Sequence, residues 1–127
     1  IRDNALSISG LLSEKVGGPS VMPYQPPDFY KGKNEGWQWK PAEGEDQYRR
    51  GLYTFWRRTS LHPMFALFDA PSREECTTPR SRTNTPLQAL VTMNDPTFVE
   101  ASRVFAQNIM TRGPEKLDDK ITWAFQK

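Results

Sequence analysis

Cysteine, histidine and long apolar runs are nearly missing from this chain of 127 residues. It holds one cysteine and one histidine. Cys76 has no second cysteine to pair with inside the chain, which excludes a disulfide-stapled scaffold. His62 stands between Leu61 and Pro63, with no His, Cys or paired acid at ligand spacing, so no metal site is expected. No stretch approaches the ~20 apolar residues of a spanning helix, so no membrane span is expected. The GxGxxG, P-loop, GxSxG and CxxCH patterns are all absent, and no catalytic residue or cofactor of this chain is assigned. The net charge of +2, without a recognised nucleic-acid motif, counts against nucleic acid as a partner, because that affinity grows with the number of phosphates neutralised.

What is present is proline, glycine and aromatic side chains. Eleven Pro and 8 Gly accompany a hydrophobic fraction of only 36%, while aromatics at 12% are too many for a wholly disordered chain. The length allows one domain at most. Ala5, Ile8, Leu12 and Val16 recur at helical spacing, which predicts a helix over residues 2–16 stopped by Gly17-Gly18-Pro19. Tyr48, Leu52 and Phe55 suggest a second helix over 46–59. Thr85-Pro86-Leu87-Gln88 is a capping box with Pro at the first helical position, giving a helix over 86–93. Asp95-Pro96 opens another over 96–112, and a fifth runs from about 115.

The expected class is therefore mainly α, with four to five short helices and long Pro- and aromatic-rich loops. Residues 19–46 hold five prolines together with Tyr24, Tyr30, Trp37 and Trp39, and read as a loop anchored by its aromatics, with a short strand at Trp37-Gln38-Trp39. Leu61 to Thr85 reads as mostly loop. Leu6, Ile8, Leu12, Leu87, Leu90, Val91, Phe98, Phe105 and Ile109 form the expected core. Because helices reach both ends, the chain is read as a fragment of a larger domain, truncated on both sides.

Seven of the ten arginines fall within residues 49–82. A guanidinium makes planar, forked bonds to carboxylates, phosphates and carbonyls, and stacks on aromatic rings. Two readings follow. One is a carbohydrate or anionic ligand bound by Trp56, Arg57, Asp69, Arg80, Arg82 and Asn84. The other is that the arginines pin irregular backbone by bonding orphan carbonyls and pairing with Asp69, Glu74 and Glu75. Asp69, Arg80 and Arg82 are also the residues that would join an active site completed by chain outside this sequence.

Three ordered blocks go further: residues 1–27 (IRDNALSISGLLSEKVGGPSVMPYQPP), 48–59 (YRRGLYTFWRRT), and 68–103, which contains RTNTPLQAL and NDPTFVEA. Together they resemble the C-terminal domain of unknown function of large planctomycete secreted proteins, often accompanied by a cytochrome c domain. The resemblance implies an exported setting, periplasmic or extracellular, with upstream domains of the same protein as partners. It implies that any haem belongs to an upstream CxxCH segment, that some such proteins carry a carbohydrate-binding-like module, and that Cys76 could pair in the intact protein. It supplies no catalytic residues.

Overall fold

Local chemistry starts and stops the helices of the computed structural model, which describes residues 1–27, 29, 38–57, 60–79 and 81–127. Among these are five α-helices and no strand: α1 (Arg2–Ser9), α2 (Pro63–Leu67), α3 (Pro86–Asn94), α4 (Pro96–Arg112) and α5 (Leu117–Phe125). The mainly helical class is as expected. No helix among the described residues is long and apolar enough to cross a membrane.

The proline-led starts behave as the sequence predicts. The Thr85 hydroxyl accepts from the Gln88 amide while the Gln88 side chain accepts from Thr85 N, closing the capping box. One residue, Asp95, then ends α3 and begins α4, its carboxylate accepting from Thr97 N at 2.9 Å. Gln88 reaches further: its Nε2 donates to the Leu67 carbonyl at 2.8 Å and to the Thr83 hydroxyl at 3.0 Å. Gln88 is buried, so its truncation removes the partner of the Leu67 carbonyl and the side-chain half of the capping box. Gln88→Ala is expected to cost about 2 kcal/mol, seen as a lower urea midpoint at unchanged m-value.

Two expected helices are corrected. The first stops at Ser9, not near residue 16, because Gly10 adopts φ 77° and turns the chain out of the helix. The apolar spacing past that point does not mark a helix. The helix expected over 46–59 is instead two 3₁₀ turns, Gly44–Tyr48 and Gly51–Tyr53, followed by extended backbone. Its backbone is claimed by a distant segment: Ser13 N donates to Tyr48 O, Val21 N to Tyr53 O, and Phe55 N to Val21 O. Leu52, placed on the expected buried face, is exposed. Conversely, α2 lies in a stretch read as loop; His62 caps it through Nδ1, a role that cap statistics do not favour. Trp37, Tyr30 and Arg80 fall outside the described residues, and Gln38 and Trp39 are not strand.

The core is smaller and more polar than expected. α1 packs chiefly on α4, with Leu6 fully buried beside Ser9, and Asn108 of α4 donating to the Ser9 carbonyl at 2.8 Å. Among the described residues Val21, Met64, Phe98 and Ala101 are also buried, and Phe68 meets Phe98 edge-on at 6.4 Å. Of the expected core, Leu6 and Phe98 are buried, whereas Leu12, Val91, Phe105 and Ile109 are half-buried and Ile8, Leu87 and Leu90 are exposed. Buried polar residues (Arg49, His62, Gln88, Thr54, Gln25 and Ser9) supply the rest of the interior.

A candidate ligand groove and the arginines behind it

The two parallel segments, 13–21 and 49–54, touch as bridges at Ser13–Arg49 and Val21–Thr54. Nine residues on one side answer six on the other, so residues 14–20 bow outward. The Arg49 side chain, 1% exposed, fills that bow. Its guanidinium donates to the carbonyls of Pro19 at 3.0 Å, Lys15 at 3.4 Å and Gly17, and lies 3.9 Å over the Tyr53 ring. The Tyr53 hydroxyl in turn accepts from Gly17 N at 2.9 Å.

Arg2 extends the same device. Its guanidinium donates to Arg49 O at 3.0 Å and Gln47 O at 2.6 Å, with the Asp3 carboxylate 3.3 Å away. Burial lowers the Arg2 pKa, partly offset by Asp3. Both Asp3 oxygens accept from Gly51 N at 2.9 Å. Arg2 and Arg49 are therefore occupied with main-chain carbonyls; of the two, Arg49 belongs to the arginine cluster of residues 49–82.

In front of α1 and the second 3₁₀ turn lies an open groove of about 510 Å³. Its lining includes the apolar side chains of Leu52, Trp56, Met64, Phe65 and Phe68, the polar Asp3 and Asn4 of α1, and Arg73. Trp56 stacks on Phe65 with centroids 5.5 Å apart, and the Arg73 guanidinium sits 3.9 Å over the Trp56 ring. Arg73 reaches this place from a backbone with φ 66°. The loop that carries it is closed at its base by Asp69, whose carboxylate accepts from Thr83 N at 2.7 Å and from the Thr83 hydroxyl.

Of the residues singled out in the sequence, the groove contains Trp56 alone. Arg57 is half-buried beside it in the chain, Asp69 ties the loop base, and Arg82 and Asn84 are exposed on the approach to α3. Arg80 lies outside the described residues. Arg73 belongs to the arginine cluster, but nothing in its sequence neighbourhood sets it apart from the other six. Phe65 and Phe68 carry no signal, since their stretch reads as loop.

His62 is buried behind the groove, 5.3 Å from the Trp39 ring and 5.8 Å from Phe65. Nδ1 accepts from Met64 N, so Nε2 carries the proton that it donates to Tyr24 O at 3.1 Å. Burial outweighs that bond and lowers the pKa to about 4. Trp39 donates from Nε1 to Pro23 O at 2.8 Å, a bond between two described parts of the Pro-rich segment. Among the described residues no three His, Cys, Asp or Glu side chains gather as a metal site would need, and Cys76 is exposed.

Comparison with known proteins gives one finding. A family model described as PSD1, protein of unknown function (DUF1553), matches residues 1–127. No curated protein and no solved structure matches the chain.

Proposed function

Because the chain belongs to the PSD1 (DUF1553) family, whose function is unknown, we propose that it is a structural module of an exported multidomain protein. It is non-catalytic, and it docks upstream chain of the same polypeptide through the outer faces of α3 and α5. One observation carries this reading: α3 is apolar on its outside. The helix bears no charge, it turns Gln88, Val91 and Thr92 inward, and it leaves Leu87, Leu90 and Met93 more than half exposed. An amphipathic helix on a finished surface has the opposite arrangement. On α5, Leu117, Ile121 and Phe125 recur every four residues on one exposed stripe, while Trp123 and Ala124 are half-buried.

The total surface supports the same reading. The chain exposes 9373 Å², against roughly 6,900 Å² for a compact globule of its mass. The planctomycete resemblance supports export and a role beside polysaccharide-related or redox domains, with any haem upstream. An active site completed elsewhere by Asp69, Arg80 and Arg82 finds less support, because the Asp69 carboxylate is already engaged with Thr83.

The test uses Leu90→Gln and Ile121→Gln. In the isolated chain both leave the melting temperature nearly unchanged, since exposed sites tolerate substitution within about 0.5 kcal/mol. In the polypeptide that includes upstream domains, each is expected to cost about 1–2 kcal/mol and to speed proteolysis at the new interface. Equal, negligible effects in both contexts overturn the docking role.

A further inference from the structure

We infer that the groove between α1, Trp56 and the Arg73 loop is a binding site for an acidic oligosaccharide, with the sugar carboxylate on Arg73. This site is separate from the outer faces of α3 and α5. Its size, about 510 Å³, falls in the range of small-molecule sites. Its lining combines two chemistries. Phe65, Phe68 and Leu52 among its lining residues offer apolar surface for the C–H face of a sugar ring, and Asp3 and Asn4 offer polar partners for hydroxyls. The Asp3 charge is offset by Arg2 at 3.3 Å and by the Gly51 amide, so it does not repel an anion as a bare carboxylate would.

Arg73 supplies the anion specificity. It forms no hydrogen bond or ion pair with the described residues, in contrast to Arg2 and Arg49, whose donors are taken by carbonyls. Its guanidinium carbon lies 3.9 Å from the Trp56 ring centroid, a contact that holds the group over the ring without using its N–H donors. A forked donor presented edge-on matches a planar carboxylate. The placement is held against a conformational preference: Arg73 keeps a left-handed φ of 66°, and Asp69, at φ 58°, clamps the loop base to Thr83. A surface arginine without a task needs neither.

The experiment is calorimetric titration of the full chain at low salt with tetragalacturonate and, in parallel, with its neutral methyl ester. The acidic sugar is expected to bind at least tenfold more tightly than the ester. Arg73→Gln removes that preference, and as an exposed side chain its loss does not unfold the chain. Arg82→Gln makes the same charge change away from the groove and keeps the preference. Equal binding of the two sugars, an equal loss with Arg82→Gln, or no binding of either sugar overturns the assignment.

Discussion

Replacing Arg49 with methionine is expected to lower the stability of the chain by about 4 kcal/mol, roughly twice the loss expected for Gln88→Ala. The side chain is 1% exposed and serves three carbonyls and one aromatic ring. Hydrogen bonds from a charged donor contribute about 1.5–3 kcal/mol each. The total falls short of three times that value because Lys15, Gly17 and Pro19 lie at the surface, where water can reach their carbonyls once the bow opens. Arg49→Lys keeps the charge and most of the volume but replaces a fork with a single compact head, which cannot span three acceptors. It is expected to lose about half as much.

The bow itself is matched to the arginine. Gly18 has φ 88°, a left-handed turn that favours glycine, and the turn lies against the guanidinium: a Cβ there would meet Arg49 Nη1 at 3.6 Å, an ordinary contact, so the backbone angle rather than space selects glycine. Urea unfolding of the two variants reads both losses. A decrease below about 1 kcal/mol for Arg49→Met would show that solvent satisfies the carbonyls as well as the arginine does.

Helix boundaries set by neighbouring residues are legible in the sequence, and those set by distant ones are not. Thr85-Pro86 with Gln88, and Asp95-Pro96, act within four residues, so their geometry follows from their order in the chain. The 46–59 segment has helical spacing, yet its carbonyls and amides bond to residues 13 and 21. No local pattern encodes that competition. The same holds for the arginines. Their number and choice over lysine point to carbonyl pinning or anion binding: within the cluster Arg49 bonds loop carbonyls, as Arg2 does outside it, while Arg73 lies over the Trp56 ring. Which arginine does which depends on contacts between segments far apart in the chain. The apolar stripe of α3 is equally plain in the sequence, but the stripe does not say what covers it. Leu87 and Leu90, placed in this chain's own core by their spacing, face outward.

Acid should destabilise the chain through His62, by about 3 kcal/mol between pH 6.5 and pH 4. The sign follows from the two states. In the unfolded chain His62 takes up a proton near its ordinary pKa of 6.5, whereas in the fold burial holds the pKa at about 4. Between those values the unfolded state binds more protons, so stability rises with pH across the window and is lost as pH falls through it. Above pH 6.5 the full stability is present; below about 4 both states are protonated and the loss is complete. The cause is geometric as well as dielectric. Nδ1 accepts the Met64 amide that opens α2, so a proton there would remove the cap and face a donor with a donor. Protonation therefore acts on α2, whose Phe65 lines the groove beside Phe68, and the groove should loosen before the rest of the chain unfolds. His62→Asn separates this from ordinary carboxylate titration. Asparagine can place Oδ1 where Nδ1 accepts from Met64 N and does not titrate, although it is too short to keep the Tyr24 O bond. Its unfolding free energy, followed from about pH 7 to 4, should lack the extra slope of up to about 1.36 kcal/mol per pH unit that the parent chain shows. Parallel pH profiles for the two proteins, or a His62 imidazole that titrates near 6.5 by NMR, would remove His62 from the acid response and leave α2 capped at every pH tested.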